Sequence, residues 1–418
     1  MRCFFALLFL FFSTIAHCTE VKIDGEEGAW QLLVDGAPFY INGAGCGLHK
    51  GKGGEDYLKL AKELGANTVR TWGIDQGTEE YLEKARKYGI YVCAGIWINS
   101  ALPEKGVSYF DIGYKRKKEK EVLDYVERYK GHDAILIWGV GNECIFFTQD
   151  EDEKIALAKF INYLAEKIHK IDPKHPVMYT GSNYVELKYI KEYMPSVDII
   201  GMNVYPTLRP CHGTYLYLKM NKPYALSEFG PPIASQSRKE ENGAAIELND
   251  KAKAIWYREL CSQIEEFRGF NLGGFVFHLG ETTQESMTWW NINYSMFKRL
   301  PFWVVYEFYT GKKPLNMPPQ IKLFTLDRAS VKPGEIIDVR FFAEDEEKDR
   351  LRYEIKLSTT HEGILQYYVN DFIDVSLTIR DGAAKVELPS KKGLYRVYLF
   401  AYDNKGNVSS ASKTISVD

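Results

Sequence analysis

The sequence is poor in the signatures of metal, redox and nucleotide chemistry. Beyond Cys3 and Cys18, its cysteines stand singly at Cys46, Cys93, Cys144, Cys211 and Cys261. No two have C-x-x-C spacing, which excludes a disulfide scaffold and a structural zinc site and leaves room for a single bridge among mostly small buried residues. No histidine pair has zinc-ligand spacing on a helix, and neither a G-x-S-x-G elbow nor a Gly-Lys-Ser/Thr phosphate loop occurs. The glycines Gly43, Gly45 and Gly47, then Gly51, Gly53 and Gly54, lack the spacing of a dinucleotide loop. They read equally as a plain turn or as a tight substrate loop with His49. Neither a metal nor an organic cofactor is therefore expected.

An excess of one charge is missing as well. With 53 Lys+Arg against 56 Asp+Glu, the net charge of −3 gives no electrostatic footprint for nucleic acid or anionic lipid. The basic run Lys115–Lys118 is followed by Glu119 and Glu121 and reads as a solvated helix start. What is present is ordinary globular composition, 45% hydrophobic and 26% charged, which excludes wholesale disorder. The 418 residues suffice for two or three domains, or for one large barrel with an accessory module.

At the N-terminus, Arg2 precedes an apolar run from Phe4 to Phe12 and then small residues at Ala16 and Cys18. This reads as a secretory signal over residues 1–18 and predicts a secreted or periplasmic protein. The run is too short for a membrane span, and no later segment supplies the roughly 20 apolar residues one requires. A lipid anchor at Cys18 is the alternative; His17 weighs against it, because a small residue is expected there. Two sequons, Asn293-Tyr-Ser and Asn407-Val-Ser, have meaning only in a glycosylating host.

Between residues 24 and 317, eight apolar runs alternate with helical patterns. The runs are Phe39–Gly43, Asn67–Trp72, Ile90–Trp97, Ile135–Val140, Pro176–Gly181, Asp198–Tyr205, Tyr224–Phe229 and Leu272–Leu279. Continuous apolarity fits strands buried on both faces of a parallel sheet. Helical patterns include Glu55–Leu64, Glu79–Tyr88, Lys118–Tyr129, Glu153–Ile171 and Asn249–Phe267, with Gly65, Gly89 and Gly269 closing three of them. The arrangement predicts an α/β fold, a (β/α)8 TIM barrel, with a doubly wound open sheet as the rival. Past Pro314, Pro318 and Pro319, residues 318–418 turn to short alternating runs with turn signals and no helix, which predicts a small immunoglobulin-like β-sandwich. Such a module could bind glycan, pack on the barrel or act as a spacer.

Active sites of such barrels lie at the C-terminal strand ends. Two isolated acids stand there, Glu143 ending the fourth run and Glu228 ending the seventh. A carboxyl pair facing across a cleft suits glycosidic bond cleavage, one acid protonating the leaving oxygen while the other attacks the anomeric carbon. The bland reading is that each acid caps a strand or pairs with a cation.

Trp138-Gly-Val-Gly-Asn142-Glu143, Ser227-Glu228-Phe229-Gly230, Val69-Arg70-Thr71-Trp72 and Asn203-Val204-Tyr205-Pro206 together resemble glycoside hydrolase clan A, and most nearly the barrel domain of glycoside hydrolase family 2. The resemblance spans about residues 35–315. It implies a retaining glycosidase of β-linked oligo- or polysaccharides, with Glu143 as acid/base and Glu228 as nucleophile. It further implies that Asn142 binds the sugar 2-hydroxyl and that Arg70 and Tyr205 hydrogen-bond the nucleophile. Trp72, Asn203 and His278, at other strand ends, complete the expected substrate-binding set. One departure is plain: clan members place a Trp near the end of strand eight, where this chain has Gly273–Gly280 without one, and Trp289 or Trp290 would have to substitute. A transglycosylase with the same residues, and a non-catalytic carbohydrate-binding module, are the alternatives.

Overall fold

The computed structural model describes residues 19–48, 51–360, 370–380 and 382–418. His49 and residues 1–18, where a secretory signal is expected, lie outside them. Eight parallel strands form a closed barrel: β1 (Ile41–Gly45), β2 (Thr68–Arg70), β3 (Tyr91–Ile96), β4 (Ile135–Asn142), β5 (Val177–Ser182), β6 (Ile199–Val204), β7 (Tyr224–Phe229) and β8 (Asn271–Val276). β8 pairs with β1 through Gly273–Ile41 and its successors, and that closure removes the open-sheet rival.

The strands are almost wholly buried because helices cover their outer faces. These helices are α1 (Tyr57–Leu64), α2 (Thr78–Tyr88), α3 (Ile112–Tyr129), α4 (Glu151–Ile171), α5 (Leu187–Tyr193), α6 (Arg209–Leu218), α7 (Asp250–Glu266) and α8 (Leu300–Thr310). Side chains of Asp56, Asp111, Asp150 and Asn249 cap the first turns of α1, α3, α4 and α7, accepting the orphan backbone N–H groups there. The Asp111 cap starts α3 six residues before the periodic pattern does, so the basic run lies within its first turns. Gly65 and Gly89 close α1 and α2 in the left-handed conformation, as expected; Gly269 also has positive φ but stands beyond the end of α7.

An N-terminal antiparallel sheet (Val21–Asp24, Gln31–Val34, Ala37–Phe39) closes the barrel's lower end. Its Val21, Leu32 and Val34 pack against strand residues such as Ile41, Leu136, Ile199 and Leu272. The opposite end, where the strands finish, stays open to solvent. All five described cysteines are buried and free, so no bridge forms among them.

The C-terminal residues form two stacked sheets around their own core of Ile337, Val339, Leu357, Val386, Val397 and Ile415, antiparallel except where Ser330–Val331 runs parallel to the last strand. The sheets also contain Gln320–Leu326, Ser330–Val331 and Phe372–Ile373, which the alternating pattern misses. The sandwich packs on the segment that follows β8: Tyr398, Phe400, Tyr402 and Val408 meet Met287, Tyr294 and Phe297. A buried polar pin joins the two parts. Arg299, fully buried, pairs with Asp250 and donates to Ser410 Oγ at 2.7 Å and to the Thr288 and Asn291 carbonyls. Arg396 donates to Ala245 O at 2.9 Å, while Ser412 Oγ donates to Glu247, itself paired with Lys253 at 2.7 Å. Both sequon asparagines are buried, with their amides bonded inside the protein, so folded chain offers neither for modification.

Candidate active site

The two carboxylates reach the open end by irregularities in their strands. β4 loses register with β5 between Gly139 and Asn142, and Gly141 has a φ of +85°. A Cβ there would sit 3.2 Å from the Tyr179 ring and 3.3 Å from Cys144 Sγ, so only glycine fits. This kink aims Asn142 and Glu143 into the cleft. β7 slips against β6 between Leu226 and Glu228, which turns Glu228 inward.

Three donors hold Glu228. Arg70 Nη1 and Trp72 Nε1 donate to Oε1 at 2.9 and 2.8 Å, and Tyr205 Oη donates to Oε2 at 2.7 Å. Arg70 is itself fixed, donating to Ser227 O at 3.0 Å and to Asn142 Oδ1 at 2.7 Å. Asn203 Nδ2 then bridges the two halves, 3.2 Å from Asn142 Oδ1 and 2.9 Å from Glu143 Oε1, while its Oδ1 accepts from Ser227 Oγ. One network therefore runs from Glu228 to Glu143 through Arg70, Asn142 and Asn203.

The network assigns orientations. Asn142 Oδ1 accepts from two donors, so its Nδ2 is the atom left to face a ligand. Asn203, expected as a substrate contact, lines the cleft and also has its amide engaged by protein, its Nδ2 donating to Glu143. Burial, first, and then the charge of Glu228 push the Glu143 carboxyl well above the usual carboxylate range, while the Asn203 hydrogen bond pulls it part-way back. Removing that bond by Asn203→Ala is expected to raise the Glu143 pKa further. Activity requiring protonated Glu143 falls as pH rises through that pKa, so the alkaline limb of the kcat/KM profile should move to higher pH. An unmoved limb, or one moved down, would contradict the assignment of Glu143 as acid.

Behind Glu143 lies a carboxyl the sequence reading passed over. Glu186 is buried on the turn after β5, accepts from Ser182 N at 2.7 Å and from Tyr179 Oη, and is pushed up to about 7 by burial. Tyr179 Oη in turn accepts from Ile145 N at 3.4 Å, which props the turn carrying Glu143. No spacing motif marks Glu186; a lone acid four residues past a strand end is the only signal.

Aromatic rings wall the Glu228 side. Tyr205 and Trp290 lie 4.9 Å apart, and Phe277 stands edge-on to Trp72 at 5.7 Å and to Trp290 at 5.6 Å. Trp290 lines the cleft, whereas Trp289 turns away and donates to Pro232 O at 3.0 Å. Of the two tryptophans expected as substitutes for a strand-eight Trp, only Trp290 borders the cleft. His278 borders the same space with its Nδ1 unpartnered, and burial lowers its pKa to about 4, so the ring is neutral near pH 7. The whole cavity measures about 1260 Å³. Among the described residues, the acids Asp345, Asp349 and Asp403 bring oxygens within 4.8 Å of one another, but they belong to sandwich loops and do not line the cleft.

Residues 31–276 match the family described as glycosyl hydrolases family 2, TIM barrel domain. The chain belongs to this family. Similar proteins include the β-glucuronidase of Chlorocebus aethiops, 30% identical over 188 residues (42% of this chain and 26% of that protein). The β-glucuronidase of Homo sapiens is 27% identical over 226 residues, 48% of this chain and 32% of the relative. The matches therefore span about a quarter to a third of the length of these curated relatives. In fold, the Bifidobacterium dentium β-glucuronidase complexed with coumarin-3-O-glucuronide superposes with a TM-score of 0.55 at 16% identity, covering 70% of this chain and 49% of that one. A Bacteroides uniformis β-glucuronidase covers 96% of this chain and 48% of its own, with a TM-score of 0.53 at 14% identity. The family 2 barrel thus coincides with the segment that carries all four motifs, and its strand ends are where Glu143 and Glu228 converge.

Proposed function

We propose that the protein is a retaining glycosidase acting on a β-linked glycan by double displacement, and that the carrying observation is the single network tying an oriented Glu228 to a Glu143 with a raised pKa. Glu228 attacks the anomeric carbon as the C1–O bond breaks, and Glu143 gives its proton to the departing oxygen. Water then attacks C1 from the opposite face, returns a proton to Glu143, and frees Glu228. Asn142 Nδ2 is placed to donate to a sugar hydroxyl beside C1, and Trp290 offers a face beneath the ring. The leader over residues 1–18 supports a secreted or periplasmic enzyme meeting its glycan outside the cytoplasm.

The relatives carry the name β-glucuronidase, yet the charge in this cleft favours a neutral sugar. Glu143, Glu228, Glu281 and Glu285 line it, against Lys52 and Lys105 among the described residues. Lys52 Nζ is already 3.0 Å from Asp371, and neutral His278 adds no positive charge. A uronate carboxylate in such surroundings would face four carboxyl groups, with Lys105 as the one lysine of the lining left to meet it among the described residues.

The test is incubation with cello-, laminari- and mannooligosaccharides and with an aryl β-glucuronide, product lengths being read by mass spectrometry. Shorter products from a neutral series, absent with Glu228→Gln, are the expected result. Products longer than the input would make the enzyme a transglycosylase. Turnover of the glucuronide alone would overturn the neutral-sugar reading, and binding without turnover in every series would leave a carbohydrate-binding module.

A further inference from the structure

The cleft is asymmetric. Around Glu228 the rings of Trp72, Tyr205, Phe277 and Trp290 pack on one another, and Phe277 and Trp290 are 7% and 5% exposed. Around Glu143 the lining rings are instead bare: Trp97 is 38% and Phe146 42% exposed. Trp97 is the first residue after β3, and Phe146 and Phe147 follow Glu143 on the turn after β4, with Phe147 N donating to Glu143 O at 3.2 Å. Strand β3 neighbours β4, so these rings share the acid's sector of the barrel rim.

We propose that Trp97, Phe146 and Phe147 form a binding platform for the sugar on the leaving-group side of the scissile bond. The enzyme would then take a glycan that continues past the bond it cuts, rather than a sugar attached to a small aglycone. This rests on the retaining-glycosidase reading, which fixes the geometry: the attacked ring lies against Glu228, and its leaving oxygen must reach Glu143. Whatever carries that oxygen therefore extends over the surface next to Glu143 and away from Glu228. There the chain presents exposed aromatic rings, Phe146 and Phe147 standing edge-to-face 5.2 Å apart, and such rings suit the C–H faces of a pyranose. The cavity volume of about 1260 Å³ exceeds the roughly 300–1,000 Å³ of a site for one small ligand, so there is room for sugars on both sides.

The platform is also held in place before any ligand arrives. Ala101 N donates to Thr148 Oγ1 at 2.9 Å, and that hydroxyl donates to Cys144 O at 2.8 Å, tying the loop after β3 to the turn after β4. Farther along the loop, Tyr109 N donates to the buried Glu153 at 2.8 Å, and Ser108 Oγ donates to the same carboxylate. A surface fixed in this way loses little conformational freedom on binding. By microscopic reversibility it also receives the acceptor in the second step. A sugar hydroxyl bound there forms its bond to C1, passes its proton to Glu143 and releases Glu228, which is how longer products would arise.

The test compares a β-glycosyl fluoride, whose leaving group is one atom, with oligosaccharides of three to six units of the same sugar. For each enzyme the readout is the ratio of kcat/KM on the oligosaccharide to kcat/KM on the fluoride. Trp97→Ala and Phe146→Ala are each expected to lower that ratio about tenfold, the scale of one lost stacking contact. Trp97→Phe, which keeps a ring face, should recover most of the loss. A ratio unchanged in both alanine variants overturns the platform. If the wild type turns over neither substrate, the glycosidase reading fails on its own. The platform is then judged by calorimetry of Glu228→Gln with cello-, laminari- and mannohexaose. Affinity that falls about tenfold on adding Trp97→Ala upholds it, and affinity that is absent or unaltered overturns it.

Discussion

Glu228→Gln is expected to lower kcat by about ten-thousandfold or more while leaving the fold intact. The amide keeps an acceptor for Arg70 and Trp72, and Tyr205, freed from donating, can accept from the new NH2. Glu228→Ala should behave differently: it leaves Arg70, which is 3% exposed, without its ionic partner. The loss of stability should approach the about 3–5 kcal/mol typical of a broken buried pair, read as a lower denaturant midpoint. Azide separates the two carboxylates by stereochemistry. In Glu228→Ala it can take the vacated nucleophile position and give a product of inverted configuration. In Glu143→Ala it intercepts the glycosyl-enzyme formed from a substrate with a good leaving group and gives a product of retained configuration. The opposite pattern would exchange the two roles.

The second large effect lies away from the chemistry. Arg299→Met should destabilise the protein by about 3–5 kcal/mol, since it strands the buried Asp250 and deprives the Thr288 and Asn291 carbonyls and Ser410 of their donor. Those two carbonyls bracket Trp289 and Trp290, so the same substitution is expected to reduce kcat/KM as the Trp290 ring loses its fixed position. Chemical denaturation and steady-state kinetics on one preparation check both parts. A variant of wild-type stability would mean that the methionine packs well enough to offset the lost pair and that Asp250 has found another partner.

What the sequence made legible follows from how strongly each feature constrains it. Strands covered on both sides must be apolar throughout, which is why β7 is read without error and β3 to within a residue at either end. Three helices are not among the patterns named from the amphipathic period, each for its own reason. Helix α5 has only seven residues, α6 opens with Pro210 and contains Gly213, and α8 carries apolar side chains nearly all round. Glu143 and Glu228 are visible because each is an isolated acid ending an apolar run, whereas Arg70 and Tyr205 are reached through the motifs that resemble glycoside hydrolase clan A. The engagement of Asn203 with Glu143 is not visible, since a hydrogen bond between strand tips depends on bulges that no residue pattern announces. Nor is the docking of the sandwich, which uses scattered positions such as Glu247, Arg299, Arg396 and Ser410.

That docking bears on how such a protein could be recombined. A seam cut at the Pro318-Pro319 linker separates Arg299 and Asp250 from Ser410, and Glu247 from Arg396 and Ser412. It also lays bare the ring cluster of Tyr398, Phe400 and Tyr402. The C-terminal part is therefore no cassette to be exchanged at the linker alone. A working chimera would have to transplant the barrel's residues 240–250 and 286–299 with it, and Trp290 would travel inside that graft.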